Sequence, residues 1–208
     1  LDMARKQSIT GVVFEAVQRM DQDVAIPRQL KMKWFFQVNK IKNRNMLVNQ
    51  CSAKLVTMFQ QEGFECCVLK GQGNALMYPN PYIRISGDID LQVKCGRDQV
   101  VQYVKKRFPH TKNAYQHVDY PIFKKVPVEV HYLPVYMNNP VYNRRLNKWF
   151  DDQSGEMYGH EVALPDDAGQ MTVPSLRFNL VFQMAHLMHH FLDEGIGLRH
   201  MVDYYYRS

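Results

Sequence analysis

Asp88-Ile89-Asp90-Leu91 constrains this chain more than any other stretch, because two carboxylates one residue apart open a segment that runs on as Gln92-Val93 and reads as a buried strand. Alternate side chains of a strand share a face, so Asp88 and Asp90 are expected to point one way while Ile89 and Leu91 enter the core. Held this close, two carboxylates raise each other's pKa unless a cation lies between them, which makes a purely structural role costly. A hard divalent ion removes the conflict. Just upstream, Arg84-Ile85-Ser86-Gly87 supplies a cation and a flexible turn. Farther back, Val68-Leu69-Lys70-Gly71-Gln72-Gly73-Asn74 reads as a strand breaking into a glycine-rich turn.

A third carboxylate is offered by Val126-Pro127-Val128-Glu129-Val130-His131-Tyr132-Leu133, where polar and apolar residues alternate at period 2, so that Glu129 and His131 share a strand face. Asp88, Asp90 and Glu129 are therefore the candidate ligands for Mg²⁺ or Mn²⁺. Mg²⁺ usually takes one or two carboxylates plus phosphates and waters, and a two-metal site holds its ions ~3.5–4 Å apart. The bland alternatives are a turn-capping or salt-bridged Asp pair and an outward-facing Glu.

At these residues the chain resembles a family. Lys70-Gly71, Tyr78-Pro79, Arg84-x-x-Gly87-Asp88-Ile89-Asp90-Leu91 and Glu129-x-His131 look like the uncharacterised bacterial nucleotidyltransferase family of the polymerase-beta superfamily. The family's later pattern, an apolar helix carrying His followed by Leu-Arg and a downstream Asp, is similar to His186 to His190 and Leu198-Arg199 to Asp203. The resemblance covers roughly residues 64 to 208. It implies an α+β nucleotidyltransferase-like fold, a small mixed sheet with flanking helices, and Mg-dependent transfer of a nucleoside monophosphate from NTP to an unidentified acceptor. Asp88, Asp90 and Glu129 would be the ligands, and Glu129 or His131 would deprotonate the acceptor. Lys70, Gly71, Gln72, Arg84, Gly87 and His190 would surround the nucleotide. One departure stands out: the wider superfamily has Ser or Gly after the turn glycine, and here Gln72 follows Gly71, so the hydroxyl contact to phosphate is absent. Lys70, as a point charge, and Arg84, as a bidentate fork, are then the groups suited to phosphate, each with a strand-end or structural role as the alternative.

Other phosphate motifs are excluded. Gly71-Gln72-Gly73 lacks the third glycine of a dinucleotide fingerprint, and no Gly-Lys-Ser/Thr loop exists in the chain. With 46% hydrophobic and 22% charged residues, the 208-residue chain can pack a core. Its longest apolar runs fall short of the ~20 residues of a membrane span, and its first residues carry no apolar signal core, so a cytoplasmic protein without a membrane partner is expected. Four cysteines, two adjacent at Cys66-Cys67, form neither a disulfide framework nor a zinc spacing and are expected to be buried thiols. The chain begins without Met and stops at Tyr204-Tyr205-Tyr206-Arg207-Ser208, inside a helical pattern, so a truncated carboxy-terminal segment is expected.

Three regions are expected: a helical segment over 1–63, a catalytic core over 64–135 and a helical segment over 136–208. The first holds an amphipathic stretch through Val12, Val13, Phe14, Ala16 and Val17, a break near Ala25-Ile26-Pro27 and a long helix ending at Gly63. The core reads as a strand over 64–70, a short helix over 74–78, a strand over 89–93, a helix over 98–108, and strands near 115–123 and 127–133. Helices follow over 141–150, 174–192 and from about 198, with a stray strand near 161–164.

Between Val24 and Gln61 there are seven Lys or Arg and no acidic residue, so against the net charge of +6 the rest of the chain sums to 6 − 7 = −1. Such a helix suits a polyanion such as RNA, but Trp34, Phe35 and Phe36 fit core packing better than base stacking, so nucleic acid is the less favoured partner. His186 and His190, at i and i+4, have a zinc-compatible spacing without a third ligand, and the resemblance instead has them line the nucleotide pocket. Arg199 and Asp203, at the same spacing, read as an intrahelical ion pair. Two further classes stay open: a non-catalytic nucleotide-binding or antitoxin-like partner of the same fold, and an RNA-binding module.

Overall fold

The computed structural model describes residues 1–20, 26–193 and 195–206. Two short helices, α1 (Asp2–Lys6) and α2 (Thr10–Arg19), precede a helix of 34 residues, α3 (Arg28–Gln61). Of the expected break near Ala25-Ile26-Pro27, Ala25 lies outside the described residues. Pro27 is the residue on which α3 starts, where the missing N–H costs nothing. Gly63, at φ +84°, ends α3 in the left-handed conformation that glycine adopts without strain.

A mixed sheet in the order β1-β2-β4-β3 forms the centre, built from β1 (Cys66–Leu69), β2 (Ile89–Val93), β3 (His117–Asp119) and β4 (Val128–His131). β2 runs antiparallel to β1 and parallel to β4, which pairs antiparallel with β3. The register puts Leu69, Asp90, Glu129 and Asp119 in one row across the sheet and Cys67, Gln92, His131 and His117 in the next. Both rows lie on one face. The other face carries Cys66, Val68, Ile89, Leu91, Val93, Val118, Val128 and Val130, all packed with Val48, Leu55, Val56 and Phe59 of α3 in the main core. The second half of α3 and the sheet therefore share one core.

The polar face is covered at one end by a second cluster, in which Cys67 and Leu69 meet Phe150, Met157, Phe178 and Phe182. These come from α6 (Pro140–Asp152), α7 (Ser154–Tyr158) and α8 (Leu176–Asp193). With apolar material on both sides, all five β2 residues are buried, Asp90 included. Asp88 lies just outside the strand: it precedes β2 and is half-buried.

Several expected elements shift. The helix after the glycine turn is α4 (Gly71–Ala75), three residues earlier than expected, because positive φ at both Lys70 (+53°) and Gly71 (+40°) turns the chain within two residues. The stray strand is β5 (His160–Ala163), and its partner β6 (Gln170–Val173), which sends Met171 and Val173 into the main core, was not expected. A 3-10 turn over Pro81–Ile83 joins α4 to β2, and α5 (Arg97–Arg107) and α9 (Leu198–Tyr205) complete the chain. Of the three aromatic residues assigned to the core, only Trp34 is buried, whereas Phe35 and Phe36 are 49% and 59% exposed. Among the described residues no helix is long and apolar enough to cross a membrane.

Candidate active site

The polar rows of the sheet open into a cleft of about 480 Å³ between the sheet, α8 and α9. Lys70, Gly71, Arg84, Gly87, Asp88, Asp90, Glu129 and His190 all border it. Carboxylate oxygens of Asp88, Asp90 and Glu129 lie within 4.8 Å of one another. Adjacent register on β2 and β4 brings Asp90 and Glu129 together, and Asp88 joins them from the turn before β2.

Lys70 and His131 hold this acidic group together. Lys70 Nζ is 3.1 Å from Asp90 Oδ1, and His131 Nε2 is 3.1 Å from the same oxygen and 3.2 Å from Glu129 Oε2. His131 Nδ1 is 3.3 Å from the Leu133 carbonyl, so acceptors face both ring nitrogens. Burial alone would lower the His131 pKa, but its bonds to Asp90 and Glu129 outweigh burial and raise it. For Asp90, burial is likewise outweighed by Lys70 and then His131, which hold the carboxyl well below the usual range. Asp88 moves the opposite way: the crowding walls of the cleft raise its pKa first and the Asp90 charge second, although the residue stays partly open to solvent at the rim. Two carboxylates two residues apart thus differ in proton affinity because only one has a counter-ion in contact.

Four expectations need correction. His131, 1% exposed, sits beneath the carboxylates and does not border the cleft, so it is placed to orient Asp90 and Glu129 rather than to reach an acceptor. Gln72 is buried with its amide on Asn49 Oδ1 and turns away from the cleft, and Asn74 borders it instead. Arg84 is no free phosphate fork: its Nε and one terminal nitrogen each donate to Asp203 at 2.7 Å, in a pair where both residues are at most 5% exposed. Consequently Asp203 does not form the expected intrahelical pair with Arg199. It instead accepts from Tyr78 Oη at 2.6 Å and Asn74 Nδ2 at 3.3 Å as well.

Lys70 carries its own constraint. It is a non-glycine residue at positive φ, a backbone state that costs on the order of 1–3 kcal/mol and persists where the surroundings over-determine it. Its ammonium also donates to His186 Nε2 at 3.0 Å, so that nitrogen holds a lone pair and the ring is neutral. Burial, and then the Lys70 charge, lower the His186 pKa to about 2. His190 Nε2 lies 3.1 Å from the same His186 nitrogen, so the two histidines contact each other at the cleft wall. Among the described residues they belong to no group of three metal-ligating side chains.

The chain matches, over residues 1–206, the family described as uncharacterised nucleotidyltransferase. It belongs to that family. In this nucleotidyltransferase-family chain the match spans the amino-terminal helices as well as the sheet, so α1 to α3 are part of the family's architecture. Among solved structures it is similar to an antigenic nucleotidyltransferase-like protein from Paracoccidioides brasiliensis, at 12% identity over 76% of this chain and 74% of that one, with a TM-score of 0.48. No curated protein matches it.

The motifs did not single out His117 or His200 for the cleft, and they assigned Arg199 to an ion pair instead. His117 stands 3.3 Å from Glu129 Oε2 through Nδ1, and Arg199 and His200 enter from α9. Period-2 alternation around His117 and the Leu198-Arg199 pair were visible, but nothing local indicates that β3 lies beside β4 or that α9 closes over the sheet.

Proposed function

We propose that this chain transfers a nucleoside monophosphate from NTP to an acceptor hydroxyl or phosphate in a reaction that depends on Mg²⁺ or Mn²⁺. The observation that carries the reading is the convergence of Asp88, Asp90 and Glu129 in one cleft. The donor set is all oxygen and closely spaced, which fits a hard divalent ion. Once bound, such an ion supplies neutralisation of the charge that develops on the transferred phosphoryl group.

The chain's own residues do the rest. An acceptor oxygen attacks the α-phosphorus, the bond from that phosphorus to the bridging oxygen breaks, and pyrophosphate leaves. Of the pair Glu129 and His131, only Glu129 is half-exposed and can reach the acceptor proton, while His131 holds its orientation from below. Positioning and charge complementarity account for most of the rate in such chemistry.

The test is incubation with Mg²⁺ or Mn²⁺ and each α-labelled NTP over a panel of acceptors, reading pyrophosphate release and label transfer. Lys70 on Asp90 and the lack of a hydroxyl at position 72 favour a second reading, a nucleotide-binding or antitoxin-like partner without turnover. NTP binding with no pyrophosphate release under any condition would support that reading instead.

A further inference from the structure

Of the cationic groups around the cleft, most are already engaged. Arg84 spends both faces of its guanidinium fork on Asp203, and Lys70 is held between Asp90 and His186. The N–H groups of Leu198 and Arg199 at the start of α9 are taken by the side chain and carbonyl of Gln7. Arg199 differs. One terminal nitrogen donates to the Ile85 carbonyl at 3.3 Å, and its buried Nε has no hydrogen-bond partner among the described residues. Arg84 takes the Asp203 carboxylate in direct contact, and Arg199 feels Asp203 and Asp88 only as more distant charges. A half-buried guanidinium with an unmet donor is costly unless an anion neutralises it.

We propose that Arg199 is the phosphate-binding cation of the cleft, and that the ligand it recognises is a polyphosphate chain, as in a nucleoside triphosphate. This rests on the nucleotidyl-transfer reading. The same cleft carries Asp88, Asp90 and Glu129, so a polyphosphate entering alone meets three carboxylates, whereas one carrying a divalent ion presents a cation to them and phosphate oxygens to Arg199. Binding should therefore require the divalent ion, and should fall steeply from triphosphate to monophosphate because a single phosphate offers fewer oxygens to share between the ion and Arg199. Ile85 and Gln7 fix the base of α9, so the guanidinium is held on a regular element rather than on a loop.

Calorimetric titration of the full chain with inorganic tripolyphosphate and with NTP, each with Mg²⁺, tests this. Arg199→Ala should weaken both ligands on the order of 10- to 100-fold, the loss expected for charge-assisted hydrogen bonds, while Mn²⁺ binding in the absence of phosphate is unchanged. Arg199→Lys should weaken them less, since a lysine keeps the charge without the fork. If Arg199→Ala binds both ligands as tightly as the wild type, Arg199 is not the phosphate site, and the transfer reading survives through another cation. If the wild type binds neither ligand with Mg²⁺, both readings fall. Should Arg199→Ala not fold, Arg199→Lys decides, with unchanged affinity overturning the assignment and a loss of several-fold supporting it.

Discussion

Arg84 and Asp203 form a bidentate pair, with both contacts at 2.7 Å between residues 119 positions apart. Through it the turn before β2, which carries Gly87 and Asp88, is tied to α9, which carries Arg199. This turn and α9, which both border the cleft, are thereby fixed relative to each other by one buried interaction. Tyr78 and Asn74 donate to the same carboxylate and bring α4 into the arrangement.

Removing one partner should be worse than removing both. Asp203→Leu leaves Arg84 buried and unpaired and should cost about 3–5 kcal/mol in denaturant unfolding. The double replacement of Arg84 and Asp203 by apolar residues should recover part of that loss. A double variant whose loss equals the sum of the two single losses would mean the two charges do not interact.

The same pair sets an acid limit. Burial would raise the Asp203 pKa, but Arg84 outweighs it and lowers the group to about 2 from its ordinary 3.8. A depressed folded pKa gives stabilisation that is complete above the unfolded value and is lost as pH falls from about 4 towards 2, here on the order of 2 kcal/mol. Tm measured from pH 5 to 2 should fall in the wild type, and the fall should be shallower in Asp203→Asn.

Activity should depend steeply on Asp90. Asp90→Asn removes a carboxylate from the metal-binding group and should lower the transfer rate on the order of 10³-fold, with the circular dichroism spectrum retained. A rate within a few-fold of wild type would remove Asp90 from the chemistry.

His131 should act through its neighbours. Because it binds both Asp90 and Glu129 without bordering the cleft, His131→Gln should weaken Mn²⁺ binding by about 10- to 100-fold while the KM for NTP at saturating metal changes little. A selective rise in that KM would instead place His131 against substrate.

Packing near the amino terminus offers a further stability test. A Cβ at Gly11 would lie 2.8 Å from the Cα of Ile83, so Gly11→Ala must move α2 off the 3-10 turn and should cost about 1–3 kcal/mol. Gly96→Ala, with nothing within 4 Å of its Cβ, should leave Tm nearly unchanged.

Local spacing was enough to identify β2, β4, the long helix ending at Gly63 and the carboxylates Asp88, Asp90 and Glu129, because period-2 alternation and a one-residue gap are properties of the chain itself. The expected strand over 89–93 coincides with β2, with Asp88 just before it, whereas β6, which follows the Asp166-Asp167 turn, was not expected.

Local pattern is therefore enough for the kind of chemistry the chain can hold: acidic groups on neighbouring strands, beside a lysine at a glycine turn. Which partner each charge takes depends on the assembled fold. Arg84, Lys70, His131 and Arg199 each had several carboxylates or carbonyls within the reach of a flexible side chain, and alternatives of that kind differ by only one or two kcal/mol. The docking of α9 over the sheet selected among them, sending Arg84 to Asp203 and leaving Arg199 on the cleft. That choice depends on contacts between residues more than a hundred positions apart, which no local periodicity records.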